Sequence, residues 1–146
     1  MHPTIHVNWL AVLAAVVASF VFGWLWHGPL FGRKWAALMK LPAEMKPDPK
    51  VMVRGMVLTV IGTFLTAYTL VFMSDIWRPS VWGGGPDSPG YVYGFLTGLW
   101  VWLGFYVPML LVGVAWEGKG WPLFGLSVAY AFLNLQLIAM ILAYLR

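Results

Sequence analysis

Four ionisable side chains stand where apolar runs of the chain end, and together they could hold a polar group or move a proton. They are His27, Arg54, Glu117 and Lys119. A histidine beside a carboxylate can change its protonation state near neutral pH, so such a set could shuttle protons or bind a polar head group. The competing interpretation is a solvated collar of ion pairs that ties helix ends together, because charges near a polar boundary cost little.

The histidines raise two further possibilities, a metal site and a tetrapyrrole. His2 and His6 are four residues apart, as two ligands on one helical face would be, but a structural zinc site takes four ligands. Gly23 lies one turn before His27, which leaves room for a planar macrocycle on an axial ligand. Because His27 is near a helix end and no similar histidine lies within a span, we expect no metal and no cofactor.

Motifs for covalent catalysis and phosphate binding are absent from the sequence. The serines lack a G-x-S-x-G setting, and the glycine run 83–85 does not connect a strand to a helix. The chain contains no cysteine, which excludes disulfides and thiolate chemistry. We therefore predict a protein without enzymatic activity.

The composition indicates a membrane protein. Of the 146 residues, 61% are hydrophobic and 10% are charged, whereas soluble domains carry roughly 25% charged residues. The mean hydropathy is +0.79, so a chain this short has more apolar surface than it can bury in its own core. The net charge of +4 comes mainly from one connector rather than a polar face, so we expect lipid contacts and no nucleic acid.

Four apolar runs are each long enough to cross a bilayer core of about 30 Å. They predict spans at about 7–27, 51–74, 91–116 and 121–145. The stretch 30–41 is amphipathic and predicts a short interfacial helix after the first span. The sequence thus predicts an all-α integral membrane four-helix bundle that forms one transmembrane domain.

The connector after the first span carries most of the positive charge and sets the predicted orientation. Its basic residues are Arg33, Lys34, Lys40, Lys46 and Lys50. Lysine and arginine are retained on the cytoplasmic side of a membrane. We therefore expect a multi-pass protein of the bacterial inner membrane, with both termini and the glycine-rich loop 83–90 on the periplasmic side.

Small residues recur at every fourth position of the first two spans, where they would allow helix backbones to approach closely. The stripes are Ala11, Ala15, Ser19 and Gly23 on the first span and Gly55, Thr59, Thr63 and Ala67 on the second. The simplest prediction is that the two stripes face each other, and the alternative is that one stripe is a homodimer face. The third span carries a G-x-x-x-G pair, Gly94 and Gly98.

Polar and helix-breaking residues also occur in mid-membrane. Pro108 has no N–H to donate to the carbonyl of Gly104, which predicts a kink in the third span. Asn134 and Gln136 lie near the middle of the fourth span and could supply the missing donor. A buried asparagine in lipid is more often a bond between helices than a substrate ligand.

Three segments resemble a known family. They are Asn8-Trp9, the motif G-W-L-W-H-G-P-L-F-G-R-K-W at 23–35, and W-E-G-K-G-W-P-L-F at 116–124. They resemble the small bacterial membrane proteins of the domain of unknown function 1761 family over nearly the whole chain. The resemblance implies four spans and no assigned activity. It also implies that tyrosine is more usual at the position of His27 and that the glycine-rich loop is longer than typical.

The predicted function is that of an accessory or structural subunit, which packs against itself or against other subunits of a membrane complex. One alternative is an oligomeric transport or permeation module, which would require a polar cavity at the mid-membrane set Gly104, Pro108, Asn134 and Gln136. A second alternative is a lipid- or tetrapyrrole-binding protein that uses the ionisable residues at the helix ends.

Overall fold

Four long apolar helices make up the protein, as the sequence predicts. The structure is a computed structural model that describes residue 3 and residues 5–146. Its helices are α1 (Trp9–Leu25), α2 (Gly32–Leu38), α3 (Pro49–Asp75), α4 (Gly90–Val101), α5 (Val107–Trp116) and α6 (Trp121–Tyr144). A π turn, Trp26–Leu30, extends α1, a second π turn, Trp102–Tyr106, joins α4 to α5, and a 3-10 turn covers Pro79–Trp82. The short α2 follows the first span where the sequence predicts an interfacial helix.

Side-chain caps fix where two of the spans begin. The Asn8 carboxamide oxygen accepts hydrogen bonds from the backbone N–H groups of Leu10 at 3.0 Å and Ala11 at 3.3 Å. The Asp48 carboxylate accepts the N–H of Lys50 at 2.9 Å, directly before Pro49. Such caps satisfy N–H groups that have no partner within the helix.

Two prolines within the spans, Pro29 and Pro108, are accommodated by π turns. The predicted first span ends at about residue 27, directly before Gly28-Pro29, yet the helix continues to Leu30, where the N–H of Phe31 donates to the carbonyl of Trp26 at 2.9 Å. Pro108 likewise directly follows a π turn in the third span. A wider turn relieves the clash between the proline ring and the preceding carbonyl, so the chain inserts a residue rather than ending the helix.

The core lies toward one end of the bundle. The largest fully buried side chains are Val12, Leu70, Leu135 and Ile138, contributed by α1, α3 and α6. We call this half, which contains the connector 76–89, the loop end. The opposite half, which contains the connector 26–48 and the turn 117–120, is the basic end.

The half of the α1 small-residue stripe nearer the basic end is packed against α6. Ser19 is buried and donates its hydroxyl to the Asn134 carboxamide oxygen at 2.8 Å. A Cβ placed on Gly23 would lie 2.9 Å from the Tyr130 hydroxyl oxygen. The other members, Ala11 and Ala15, are buried in the core. Since α6 fills the α1 stripe toward the basic end, no space remains there for α3.

The prediction that the stripes of α1 and α3 face each other is therefore wrong for the half of the α3 stripe nearer the basic end. Ala67 is buried in the shared core, and Thr63 is half-buried. Gly55 and Thr59 are exposed, like every residue from 50 to 62. The helix diverges from the bundle as it approaches the basic end.

The glycine pair of the third span packs closely against α6. A Cβ on Gly94 would lie 3.1 Å from the backbone oxygen of Ala139, and one on Gly98 would lie 2.9 Å from Gln136 Nε2. Both glycines are buried. The absence of side chains at these two positions lets the α4 and α6 backbones approach closely.

The mid-membrane polar residues are used differently from the sequence prediction. Asn134 pairs with Ser19, and Gln136 Nε2 donates to the Phe95 carbonyl at 3.2 Å, so neither serves the Gly104 carbonyl. Gly104 lies exposed within the π turn, whose geometry rearranges the local hydrogen bonds. The Asn134 and Gln136 side chains therefore connect neighbouring helices.

Candidate functional site

The basic end contains a cleft of about 410 Å³ between α2, α5 and α6. Its walls are mainly apolar, and they include Trp35, Met39, Met109, Leu110, Val114, Leu123 and Phe124. Ser127 adds a hydroxyl to the α6 wall. Pockets for small molecules have this size and this mixture of apolar walls with few polar groups.

An ion pair lies at the edge of this cleft. The Lys119 ammonium contacts the Glu117 carboxylate, and both side chains are about half exposed. The backbone N–H groups of both residues donate to the Gly113 carbonyl, at 3.2 Å for Glu117 and 3.1 Å for Lys119. Gly118, between them, has φ +67°, a conformation that glycine adopts without strain. The turn therefore holds two opposite charges side by side.

Gly113 determines how closely this turn can fold onto α5. A Cβ at that position would lie 2.9 Å from Lys119 Cδ and 3.5 Å from Glu117 Oε2. The aliphatic part of the Lys119 side chain therefore lies across the surface of α5 at Gly113, which has no side chain to block it. Its ammonium remains at the edge of the cleft.

His27 lies outside the cleft, against the wall that α2 contributes to it. Its Nδ1–H donates to the Gly23 carbonyl at 3.0 Å, so in the neutral ring Nε2 is the acceptor. The ring makes edge contacts with Trp35, at 5.5 Å between centroids, and with Tyr130, at 4.7 Å. His27 therefore contacts Trp35, a cleft residue, while Glu117 and Lys119 line the cleft itself.

The space that a tetrapyrrole would need beside Gly23 is occupied. Tyr130 fills it from α6, and the His27 ring is held between aromatic neighbours. Across residue 3 and residues 5–146, no group of three or more histidine, aspartate or glutamate side chains is arranged to hold a metal. His2, the partner suggested for His6, lies outside the described residues.

Arg54 is not part of this arrangement. It is exposed, and with Pro49, Lys50 and Val53 it forms a shallow surface made by α3 alone. Because α3 diverges from the bundle, the predicted set of four ionisable residues divides into a group around α2 and an isolated arginine.

The loop end holds a network of four charges that sequence reasoning missed. Arg78 approaches Asp75 at 3.2 Å and Asp87 at 3.7 Å, and Arg146 approaches Asp75 at 3.4 Å and Asp87 at 3.5 Å. The Arg78 guanidinium also lies over the ring of Tyr93, 4.4 Å from its centroid. Two carboxylates and two guanidiniums therefore join the end of α3, the connector 76–89 and the end of α6.

Two of the four residues in the network are buried, whereas Asp87 and Arg146 are partly exposed. The side chains of Asp75 and Arg78 are only 4% and 5% exposed. Asp87 also accepts hydrogen bonds from the Ser80 hydroxyl at 2.7 Å and the Ser80 N–H at 2.9 Å. These bonds hold the pKa of Asp87 below its ordinary value, with Arg78 and Arg146 adding to the effect. The signal in the sequence was the i, i+3 pair Asp75/Arg78 at a span end.

A family model described as a protein of unknown function, DUF1761, matches residues 10–143. No curated protein and no solved structure matches the chain. The matched segment contains the whole cleft at the basic end. It also contains three of the four charges at the loop end, all but Arg146.

Proposed function

The chain belongs to the DUF1761 family of proteins of unknown function, and from that premise we propose that it acts by helix packing in the membrane. It is a non-enzymatic structural or accessory subunit, and its first partner is a second copy of itself. Its location is a bacterial inner membrane with both termini on the periplasmic side. The concentration of lysine and arginine at the basic end supports that orientation.

The observation that carries the proposal is the diverging half of α3. Residues 50–62 are exposed on every side, whereas α1, α6 and the third span each bury residues in both halves of the bundle. This half is about 20 Å long, most of the thickness of a bilayer core. It leaves one span available for contact along much of its length.

Exposure alone does not indicate a protein contact, because lipid covers apolar side chains without penalty. The residue types on the exposed face therefore decide whether it suits another helix. Gly55 and Thr59 are one turn apart, and the Thr59 hydroxyl donates to the Gly55 carbonyl at 2.8 Å. A Cβ on Gly55 would meet nothing within 4 Å. The face is therefore smooth and satisfied in its hydrogen bonds, which favours close approach of another helix backbone.

A second copy fits this face better than an unrelated span. In a two-fold symmetric pair each copy uses the same surface, so a stripe of small residues meets an identical stripe. Both copies have the same orientation in the membrane, and the two Arg54 side chains stay near the polar boundary, where their charge costs little. Pairing through α3 also leaves the α1–α6 packing unchanged.

Energy transfer between two labelled copies tests the proposal. Wild-type protein, with donor and acceptor labels on separate copies, is reconstituted in vesicles at increasing dilution with lipid. We expect transfer above the random-proximity level, and its loss in the double variant Gly55→Leu/Thr59→Leu, because leucine side chains separate the backbones.

The matched control is Gly125→Leu, since Gly125 is also exposed and has nothing within 4 Å of a Cβ, but lies on α6. We expect this variant to transfer like wild type. Random-proximity transfer in the wild type would refute self-association, and equal transfer by all three proteins would refute the α3 interface.

The permeation alternative has less support. It relied on polar groups around Gly104 and Pro108, but Asn134 is hydrogen-bonded to Ser19, and Gln136 to the Phe95 backbone. Lipid binding is favoured by a separate feature, the cleft at the basic end.

A further inference from the structure

We infer that the cleft between α2, α5 and α6 binds one glycerophospholipid whose head group carries both a phosphate and a primary ammonium. One acyl chain occupies the apolar cleft, and the head group lies against Glu117 and Lys119. The inference does not depend on self-association through α3, which lies elsewhere on the molecule.

The first argument is the distribution of polarity in the cleft. Its volume of about 410 Å³ is bounded mainly by apolar side chains of α5 and α6, and the charged pair lies at one edge. That edge is formed by the turn between the third and fourth spans, at the predicted membrane surface. A ligand that matches this distribution has a hydrocarbon part and a charged part at one end, which is the structure of a membrane lipid.

The second argument is charge complementarity. Lys119 and Glu117 lie side by side, so the lysine can donate to a phosphate while the glutamate accepts from an ammonium. Because both side chains are about half exposed, their mutual attraction is weak, and exchanging it for contacts with a head group costs little. The pair has no net charge, so a zwitterion satisfies both groups.

The same pair disfavours other head groups. A singly anionic lipid without an ammonium could pair with Lys119 but would leave the Glu117 carboxylate beside its phosphate. A quaternary ammonium has no N–H to donate, so Glu117 could attract it but could not form a hydrogen bond with it. Rejection through an unpaired or repelled group is a common basis of specificity.

The third argument is the position of the Ser127 hydroxyl. Ser127 lies in the α6 wall, about 9 Å along the helix from Trp121, where the span begins. A lipid whose phosphate is held by Lys119 would bring its ester groups deeper than the charged pair, toward this serine. The cleft thus offers polar groups at two depths: the charged pair at its edge and the Ser127 hydroxyl further along α6.

The wall of the cleft that α2 provides is held close to the preceding turn, and its side chains can adapt to the shape of a ligand. A Cβ on Gly32 would lie 2.5 Å from the His27 carbonyl oxygen, so only glycine permits α2 to begin so close to the preceding turn. Trp35 of α2 and Met39, directly after α2, belong to the lining. Tryptophan is suited to a membrane boundary, and methionine adapts to irregular apolar ligands.

Native mass spectrometry of delipidated protein in detergent tests the inference. Ethanolamine, choline and glycerol phospholipids with the same acyl chains are titrated separately. We expect one ethanolamine lipid to bind at least fivefold more tightly than either of the others. Lys119→Met should weaken its binding about fivefold, the loss of roughly one exposed charge contact. Glu117→Gln should remove the preference over the glycerol lipid.

The matched control is Lys50→Met, which removes a lysine at the same end of the bundle but outside the cleft. It should bind all three lipids like wild type. A second cleft variant, Leu123→Trp, should weaken every lipid by filling the space for the acyl chain, and a circular dichroism spectrum verifies its fold.

Two results would overturn the inference. Equal binding of the three lipids, unchanged in both charge variants, would mean that the lipids bind the general apolar surface. Preference for the glycerol lipid would mean that Lys119 acts alone, as a simple anion contact.

Discussion

The two ends of the bundle both carry opposite charges close together, but they treat those charges in opposite ways. At the loop end, Asp75 and Arg78 are almost entirely buried among α3, α6 and the connector 76–89. At the basic end, Glu117 and Lys119 are about half exposed beside an open cleft, and α3 has diverged from its neighbours.

This difference indicates that the charges at one end of the bundle stabilise the fold, while those at the other end are free to bind a ligand. A buried ion pair is costly to break, because the remaining charge has neither water nor a partner, whereas an exposed pair contributes little. The loop end therefore fixes how the helices are joined, and the basic end has groups available for a ligand. Substitutions at corresponding features of the two ends measure how complete this separation is.

The largest difference is expected from the charged pairs themselves. Arg78→Leu should lower the free energy of unfolding by about 3 kcal/mol, since Asp75 would keep only Arg146 as a partner. Lys119→Met, at the basic end, should change it by less than about 1 kcal/mol. Reversible unfolding in mixed micelles, followed by circular dichroism, measures both.

Equal destabilisation by these two variants would contradict the comparison. A small effect of Arg78→Leu alone would mean that Arg146 is sufficient for Asp75. The double variant Arg78→Leu/Arg146→Leu would then show the full cost.

Glycines on packed and unpacked faces provide the next test. Gly94→Leu should destabilise the protein by about 2 kcal/mol, because a Cβ there already meets the Ala139 backbone oxygen at 3.1 Å and α6 must move away. Gly55→Leu should not destabilise the isolated chain, since nothing lies within 4 Å of its Cβ and leucine forms helix more readily than glycine. The same unfolding assay compares them.

Should Gly55→Leu prove as destabilising as Gly94→Leu, α3 would have to pack against the bundle along its whole length. The described divergence of α3 would then be incorrect. Comparison at high dilution in detergent removes any contribution from self-association.

A smaller effect is expected where a hydroxyl joins two helices. Ser19→Ala should cost about 0.6–1 kcal/mol, because it removes the hydrogen bond to Asn134. Thr59→Val provides the comparison on the exposed helix: it removes a hydroxyl that bonds only to the backbone of its own helix, so it should cost almost nothing. A loss for Thr59→Val as large as that for Ser19→Ala would argue against the exposure of that face.

The sequence predicted the spans well because composition and length alone decide which segments dissolve in lipid. It also located the close contact at Gly94 and Gly98, although not its partner. It chose α3 as the partner of the α1 stripe and missed α6, because the regular spacing of small residues does not identify the helix that packs against them. The identity of that helix depends on Tyr130 and Asn134, whose side chains reach Gly23 and Ser19 across more than a hundred residues of sequence.

The loop-end network was missed for a related reason. Arg78 and Arg146 lie outside the basic connector on which the predicted orientation depends, and Asp75 lies at the end of an apolar run. Their convergence requires the ends of α3 and α6 to meet, which spacing along the chain does not specify. At the basic end, Glu117 and Lys119 are only two residues apart in sequence, so their pairing was accessible in advance.

The smallest expected effect is the acid sensitivity of the loop end. Because Ser80 and the arginines lower the pKa of Asp87 in the folded state, its carboxylate stabilises the fold fully above the unfolded value of 3.8. That contribution is lost as the pH falls through the lowered folded pKa. Unfolding measured from pH 6 down to pH 2.5 should show this loss in the wild type.

Ser80→Ala sharpens the test, since it removes the hydroxyl donor but keeps the Ser80 backbone donor. The folded pKa of Asp87 should rise toward 3.8, and the acid-dependent part of its contribution should shrink. Asp87→Asn should abolish that part. If all three proteins lost stability identically on acidification, the decrease would have to arise from other carboxylates, and Asp87 would bridge the two arginines without contributing to the closure of this end.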